Sequence, residues 1–258
     1  MKIAALYDIH GNLHALNAVL TELQEIQPDL IIVGGDIVSG PMPRQTLERL
    51  FQSEIPVRYI RGNGDREVVT ISNNQPLKRR FLPEASDKSI EEIRWIVNQL
   101  TSDQRDFLAA LPEQLTVQVE GLGIILFCHA TVRNDEEIFT PLTPEKDLQA
   151  IFSNLQSEIV VCGHTHMQFE RRLNTLRIVN AGSVGMPYAD QPGAYWLLLG
   201  PEGYEHKRTA YDEKAAAEAI KASEYPPAKE FAEENILTVP TAAEATEVFE
   251  QMALKYRL

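Results

Sequence analysis

Short apolar runs, separated by helical patterns, occupy the first sixty residues. The segments KIAALYD, DLIIVGGD and PVRYIRGNGD each contain a run rich in Ile, Leu or Val that ends near glycine or an acidic residue, which is typical of strands buried on both faces. Between the first two runs, apolar residues recur at helical spacing from Leu13 to Ile26, and Pro28 closes the segment. Pro43 suits the first turn of a shorter helix before the third run. The pattern predicts a β-α-β-α-β unit with a parallel sheet.

The pattern changes over residues 65–111. Two Ser-Asp steps, at 86–87 and 102–103, each precede apolar residues at helical spacing, so we expect two helices that form a cap beside the sheet. The following segment QLTVQVEGLGIILFCHA predicts a hairpin. A helix over about 144–154 and further strand-like runs, as far as about residue 210, complete the predicted core.

The last part of the chain is rich in alanine, glutamate and lysine. Prolines separate three expected exposed helices, near 212–222, 227–235 and 241–256. We therefore expect a core over residues 1–210, which contains the cap over 66–111, and an acidic helical extension over 211–258 that packs on or beside it. The sequence leaves open whether the extension folds over the core or joins two copies in a homo-oligomer.

Composition narrows the function classes. The 258 residues are 44% hydrophobic and 24% charged, as in ordinary globular proteins. No run reaches the roughly 20 apolar residues that a membrane span needs, so we expect a cytoplasmic protein that does not bind membranes. A formal net charge of −13 disfavours binding of long nucleic acid, which is held mainly by lysine and arginine. The two cysteines are too few for a framework of several disulfides.

Potential metal ligands follow the predicted strands. Carboxylate and amide oxygens with neutral imidazoles suit a divalent first-row ion such as Mn²⁺, Fe²⁺, Ni²⁺ or Zn²⁺, and the absence of thiolates from the set argues against structural zinc. Seven side chains exceed the needs of one catalytic ion, whereas a bridging Asp36 would give each of two ions four protein ligands. The alternative is a set of isolated polar residues, with His129 or His164 held in the core by backbone hydrogen bonds. The candidate ligands are Asp8, His10, Asp36, Asn63, His129, His164 and His166.

The order of the motifs DIH, GGD, GNGD, CHA and GHTH resembles that of the calcineurin-like metallophosphoesterases, and the GNGD form resembles their compact bacterial and archaeal phosphodiesterase branch. The resemblance covers about residues 1–210. It implies an α/β fold, a four-layer αββα sandwich of two mixed sheets flanked by helices. It also implies two divalent ions, Mn²⁺ foremost and Fe, Ni or Zn as alternatives. One ion would be held by Asp8, His10, Asp36 and His166, and the other by Asp36, Asn63, His129 and His164.

The resemblance implies hydrolysis of a small phosphoester by a bridging hydroxide. The sequence places three residues where they could hydrogen-bond phosphate oxygens or the nucleophile: Asn12, Arg61 and Asn63. Arg61 equally fits a surface salt bridge.

A departure from the family concerns the leaving group. Many relatives carry a histidine after the motif asparagine, where this chain has Gly64. Asp65 and His14 are the remaining candidates for the catalytic acid. His14 alternatively lies exposed on a helix face. Without an acid, aryl or phosphoanhydride leaving groups should be favoured over alkyl alcohols.

Three functions remain open at this point. The first is cleavage of small phosphodiesters, and the second is a protein serine/threonine or nucleotide-type phosphomonoesterase on the same site. The third is a catalytically silent protein-interaction module, which is disfavoured because all seven ligand positions hold competent donors. The loop after His129 carries Asp135, Glu136 and Glu137, which we expect to form a solvated loop face.

Overall fold

Ten strands form two mixed sheets in this computed structural model, which describes residues 1–256. The first sheet has the order β10-β9-β1-β2-β3, and the second has the order β4-β5-β6-β8-β7. Strands β1, β2 and β3 are parallel, as the sequence pattern predicts, and so are β5, β6 and β8. The strands are β1 (Ile3–Leu6), β2 (Leu30–Val33), β3 (Val57–Tyr59), β4 (Gln114–Val119), β5 (Gly123–Cys128), β6 (Ile159–Cys162), β7 (Gln168–Leu173), β8 (Leu176–Ala181), β9 (Ala194–Gly200) and β10 (Gly203–Thr209).

Helices cover the outer faces of both sheets. They are α1 (Leu13–Ile26), α2 (Pro43–Phe51), α3 (Asn63–Ser72), α4 (Asp87–Gln99), α5 (Ser102–Ala109), α6 (Glu145–Ile151), α7 (Glu213–Lys221), α8 (Ala228–Phe231) and α9 (Ala242–Tyr256). A π-helical turn, Ala232–Leu237, continues α8. Within residues 1–256, none of the helices combines the length and the apolar character needed to cross a bilayer.

Alternation along β1 shows how the layers form. Ile3 and Ala5 pack between the two sheets, whereas Ala4 and Leu6 belong to the cluster under the helices of the first sheet. Successive side chains of a strand point to opposite faces, so a strand that is apolar at every position must be covered on both sides. A third cluster lies between the second sheet and helices α6 and α9. The expected four-layer α/β sandwich is confirmed.

One detail of the helical cap differs from the sequence-based expectation. Residues 65–111 contain most of α3 as well as the two expected helices α4 and α5. Helix α3 begins within the GNGD motif, and Asp65 accepts a hydrogen bond from the backbone N–H of Gly62 (3.1 Å) across its first turn. The pattern concealed this helix because the start of α3 is occupied by residues that also serve the site.

The C-terminal extension is part of the packed structure. Ile220 of α7 and Phe231 of α8 are 1% and 5% exposed, and they lie in the same buried cluster as α1 and β9. Helix α9 covers the second sheet through Ala245 and Phe249. Residues of the extension therefore contribute to the core on both sides of the sandwich, while its division from the core at residue 210 stays a prediction.

This packing predicts that truncating a buried aliphatic side chain of the extension to alanine destabilises the protein more than truncating an exposed one of the same size. Ile220→Ala should lower the free energy of unfolding by about 2–4 kcal/mol, because it removes methyl groups from a filled core. The control is Leu254→Ala in α9, where the side chain is 68% exposed and the expected cost is under about 0.5 kcal/mol. Guanidinium unfolding followed by circular dichroism measures both, and equal costs would contradict a core shared with the extension.

Candidate metal centre

The predicted ligands lie in loops that leave the carboxyl ends of β1, β2, β3, β5 and β6. The backbone ladder between β1 and β2 continues into the first two loops. Asp8 donates its N–H to the carbonyl of Gly35 (3.1 Å), and His10 donates to the carbonyl of Asp36 (2.9 Å). The Gly163 N–H likewise binds the His129 carbonyl (2.8 Å). Because the carboxyl ends of parallel strands share one sheet edge, these bonds bring distant parts of the sequence together.

Left-handed backbone conformations concentrate at the predicted ligands. Nine non-glycine residues of the described chain have φ between 48° and 68°, and five of them are candidate ligands. Such residues are uncommon and cluster at functional sites. Each sharp turn directs a side chain toward the space between the two sheet edges. The five are Asp8, His10, Asp36, His164 and His166.

Glycine permits close approach of the loops to the two carboxylates. A Cβ on Gly62 would lie 2.2 Å from Asp36 Oδ1, and one on Gly163 would lie 2.3 Å from Asp8 Oδ2. The same oxygens accept backbone hydrogen bonds, from the N–H of Gly64 to Asp36 Oδ1 (2.7 Å) and from the N–H of His164 to Asp8 Oδ2 (2.8 Å). Each carboxylate is therefore held by one oxygen and presents the other.

Each of the four histidines has one ring nitrogen against a backbone carbonyl. A carbonyl only accepts hydrogen bonds, so that nitrogen must carry the hydrogen, and the other nitrogen of a neutral imidazole has a free lone pair. Metal-binding histidines are oriented in this way. The pairs are His10 Nδ1 with Ser39 O (3.0 Å), His129 Nδ1 with Gly34 O (2.9 Å), His164 Nε2 with Glu136 O (3.1 Å) and His166 Nδ1 with Met186 O (2.8 Å).

The first ligand group is Asp8, His10 and His166. The Nε2 atoms of the two histidines are 3.1 Å apart, and Asp8 Oδ1 lies 3.4 Å from Nε2 of His166 and 3.9 Å from Nε2 of His10. Asp8 Oδ1 is buried and has no hydrogen-bond partner among the described residues. Facing lone pairs and an unpaired buried oxygen are unfavourable by themselves, whereas a cation between them would satisfy all three atoms.

The second ligand group contains Asp36, Asn63, His129 and His164. Asp36 Oδ2 lies 3.6 Å from His129 Nε2. The amide oxygen of Asn63 lies 3.1 Å from His129 Nε2 and 3.0 Å from His164 Nδ1. Rotating the amide would place its NH₂ there and let the oxygen accept from Gly64 N (3.2 Å). A cation would favour the oxygen facing the two imidazoles.

Both carboxylates lie between the two groups. Asp36 Oδ2 is 3.8 Å from Nε2 of His10 and 3.6 Å from Nε2 of His129. Asp8 Oδ1 is 3.8 Å from Nε2 of His129. Two groups of side chains each bring one ligand atom per residue within 4.8 Å of the others in the group. The groups are Asp8, His10 and His166, and Asp8, Asp36 and His129. This donor set fits divalent first-row ions. Because Asp8 contributes to both sets, the bridging role of Asp36 alone stays a prediction.

Burial and neighbouring charges set the protonation of the imidazoles. Burial lowers the pKa of His164 to about 4, with a further lowering by His129. Burial and His166 also lower the pKa of His10. For His129, burial lowers the pKa but the carboxylates of Asp36 and Asp8 outweigh it, so the pKa is raised. His10 and His164 are thus neutral near pH 7, in the state that binds a metal.

Asp65 is buried beside the centre and makes backbone hydrogen bonds with both carboxylate oxygens. It accepts from the N–H groups of Ile37 (2.9 Å) and Gly62 (3.1 Å) and so joins the Asp36 loop to the start of α3. Burial, followed by repulsion from Asp36, raises the pKa of Asp65 to about 7. These bonds position a ligand loop, and the predicted part of Asp65 in leaving-group protonation stays a prediction.

The other predicted catalytic and binding residues lie in different surroundings. Asn12 caps α1 by accepting from Ala15 N (3.1 Å), and its amide donates to Gly185 O (3.1 Å) and Tyr211 Oη (3.3 Å). A bond from Asn12 to a phosphate would require the loss of one of these bonds. His14 is half-buried on α1 and, among described residues, makes no hydrogen bond or ion pair and belongs to neither ligand group.

Arg61 lines a cavity next to His129. Its guanidinium donates to the exposed Glu113 (2.8 Å), and its buried Nε has no acceptor among the described residues. The salt bridge expected as the alternative is therefore present. Its predicted substrate-binding role stays a prediction.

The acidic loop after His129 is not solvated, contrary to expectation. Glu136 and Glu137 are 2% and 5% exposed. Arg66 binds both Asp135 and Glu136, and Arg133 binds Glu137. The expectation was wrong because the basic partners lie in another element, α3, or within the same loop, and burial of a carboxylate depends on such pairs.

The sequence reasoning also missed the residues that orient the histidines. Four backbone carbonyls do this, and no side-chain pattern reveals them. Tyr188 stacks on the His166 ring at 5.4 Å between centroids and 20° between planes, and it contacts Phe249 of α9 at 5.9 Å. The sequence shows Tyr188 as an aromatic residue, but it does not show that this ring packs on His166.

Comparisons with known proteins agree with this architecture. The sequence model of the calcineurin-like phosphoesterase superfamily domain matches residues 1–199. An uncharacterised protein of Methanocaldococcus jannaschii is 27% identical over 242 residues, which is 87% of this chain and 93% of that protein.

Two solved structures share the fold. A hypothetical protein from Pyrococcus horikoshii superposes with a TM-score of 0.74 and 21% identity, over 90% of this chain and 97% of that one. A metallophosphoesterase from Sphaerobacter thermophilus superposes with a TM-score of 0.67 and 22% identity, over 86% and 93% of the two chains. With five loops converging on paired ligand groups and a family match over most of its length, the chain belongs to the calcineurin-like phosphoesterase superfamily.

Proposed function

We propose that this protein hydrolyses small phosphodiesters with two divalent ions, Mn²⁺ foremost. The observation that carries the proposal is the convergence of two ligand groups on carboxylates that lie between them, with the carbonyl-oriented imidazoles presenting lone pairs to the same space. Structural metal sites are closed by four protein ligands, commonly with thiolates, whereas catalytic sites keep positions for water and substrate. The donor set therefore supports catalysis rather than a structural role.

The candidate ligands form two sets, one for each ion. Asp8, His10, Asp36 and His166 would hold one ion, and Asp36, Asn63, His129 and His164 would hold the other. When bound, such ions polarise phosphoryl oxygens and activate water near neutral pH. The enclosing loops exclude most bulk water, because six of the seven candidate ligands are 0–9% exposed and Asn63 is half-buried.

The groups that could contact the phosphoryl oxygen and the leaving oxygen limit the choice of substrate. Arg61 lines the cavity next to His129, and its guanidinium charge suits it to bind a phosphoryl oxygen. Gly64 stands where many relatives have a histidine, and its N–H already donates to Asp36. Both carboxylate oxygens of Asp65 already accept hydrogen bonds from backbone N–H groups. The site thus offers little help to a poor leaving group, which favours substrates whose leaving oxygen is already a weak base.

Metal binding should stabilise the wild-type fold and depend on Asp8. Adding Mn²⁺ to metal-stripped protein at about 100 times its Kd should raise the Tm by roughly 5–10 °C. Asp8→Asn keeps the shape but removes the charge of the unpaired oxygen, so the rise should shrink by more than half. Differential scanning calorimetry measures it, with Asp103→Asn on the surface of α5 as control. A full rise in Asp8→Asn would contradict the assigned ligand set.

Hydrolysis should require metal and the second ligand group. Bis-(p-nitrophenyl) phosphate should be cleaved only after Mn²⁺ is added back, and His129→Gln should lower kcat by more than about 100-fold, because even loss of a residue that supports a ligand costs 10–100-fold. The matched control is His206→Gln, since His206 binds the Asn180 carbonyl outside the ligand set. Cleavage of p-nitrophenyl phosphate alone would indicate a phosphomonoesterase. Metal binding without turnover of either ester would indicate a protein-interaction module.

The rate should depend steeply on the leaving group. Across diesters with phenols of increasing pKa, and then an alkyl alcohol, kcat/KM should fall by about 10²–10⁴ relative to the p-nitrophenyl ester, the range that a general acid would otherwise recover. Steady-state kinetics on this series measures the slope. A shallow slope in the wild type that becomes steep in His14→Ala or in Asp65→Asn would instead identify that residue as the acid.

A further inference from the structure

A cavity of about 260 Å³ adjoins the second ligand group and is rich in basic residues. His129 forms part of its wall, so the cavity opens directly beside the proposed reaction centre. Five basic residues line it against three acidic ones, Glu113, Asp135 and Glu136, whereas the whole chain has a net charge of −13. The basic lining residues are Arg61, Arg66, Lys78, Arg80 and Arg133. We call this space the basic cavity.

The basic residues differ in whether their charge is already neutralised. Arg66 binds Asp135 and Glu136, and Arg133 binds Glu137. These two arginines serve the protein itself. In contrast, Lys78 and Arg80 have no carboxylate within 4.0 Å among residues 1–256, and both are exposed. Their charges are available to a ligand.

The backbone that carries Lys78 and Arg80 is fixed from both sides. These residues lie in the strap, defined as residues 73–86 between α3 and α4. Between them, Arg79 makes a two-pronged ion pair with Glu67 of α3, at 2.6 and 2.7 Å. Glu136 accepts from the backbone N–H groups of Arg80 (2.7 Å) and Phe81 (3.1 Å). The strap is therefore a preorganised support for the two free cations.

Glu136 also joins the strap to the metal centre. Its carboxylate holds the strap, while its backbone carbonyl accepts from His164 Nε2 (3.1 Å) and orients that ligand. One residue thus sets the position of a metal ligand and of the basic cavity. A substrate held by both would have its reacting phosphorus and its second contact in a fixed relation.

The cavity beside the first ligand group has the opposite character. It has about 430 Å³ and includes His10, and its acidic lining residues Glu92, Glu230 and Glu234 outnumber Lys88. An anionic group would be repelled there and attracted in the basic cavity. The two sides of the centre therefore distinguish the two ends of a substrate.

We propose that the substrate carries a second phosphate, which lies in the basic cavity on Lys78 and Arg80, beside the reacting phosphoester. This inference rests on the proposed function and specifies its substrate class: a phosphodiester with an additional phosphate monoester. The planar guanidinium of arginine and the ammonium group of lysine both donate hydrogen bonds to phosphate oxygens. The cavity is small compared with pockets for whole drug-sized ligands, which fits one anionic group rather than a complete substrate.

Binding can be tested separately from turnover. With Mn²⁺-loaded protein, calorimetry should show at least tenfold tighter binding of thymidine 3′,5′-bisphosphate than of thymidine 5′-monophosphate, because hydrogen bonds to charged groups have this magnitude. In Lys78→Ala/Arg80→Ala the difference should disappear. The control Arg58→Ala/Lys214→Ala removes the same charge from exposed positions outside the cavity and should keep it. Equal affinities in the wild type would overturn the inference.

Turnover supplies the second comparison. The p-nitrophenyl ester of thymidine 5′-phosphate and its 3′-phosphorylated form differ only in the additional phosphate. The wild type should favour the phosphorylated ester at least tenfold in kcat/KM, the Lys78→Ala/Arg80→Ala variant should lose this preference, and the Arg58→Ala/Lys214→Ala control should keep it. No hydrolysis of any ester, together with the tenfold binding preference, would refute the proposed function and leave the phosphate site standing. Hydrolysis of the esters with no preference for the additional phosphate, in binding or in kcat/KM, would refute the phosphate site and leave the proposed function standing.

Discussion

The geometry of the centre depends on left-handed turns placed directly after strands. A non-glycine residue in this conformation costs on the order of 1 kcal/mol or more, so five such residues represent a cost comparable with the net stability of a domain. Aspartate and histidine tolerate it better than most residues, and they are also good metal ligands. Hydrogen bonds between loops, such as His10 N to Asp36 O, hold the turns. The same residues thus meet a backbone requirement and a chemical one.

The sequence predicted the framework well and the connections poorly. Apolar runs at β1, β2 and β3 define buried strands because a strand covered on both faces needs apolar residues throughout. The candidate ligands could be identified because each follows such a run. The carbonyl partners of the histidines were not, since every residue has a carbonyl. Glu136 was misjudged because its burial depends on Arg66, which lies on a different element.

Several side chains join the ligand loops to surrounding elements. Asp65 links the Asp36 loop to α3, Glu136 links His164 to the strap, and Tyr188 links His166 to α9. These three candidate ligands are thereby supported by different parts of the sandwich. Such support keeps donors within the small tolerances that metal chemistry requires. It also makes the cap and the extension parts of the centre's environment rather than independent additions.

The basic cavity lies in a chain whose remaining charge is strongly negative. At low ionic strength the field of the whole molecule opposes the approach of an anion, and only the last few ångströms favour it. Salt screens interactions beyond about 10 Å at 0.1 M far more than short contacts in a partly enclosed cavity. Moderate salt should therefore speed the encounter with an anionic ligand, in contrast to the usual slowing for oppositely charged partners.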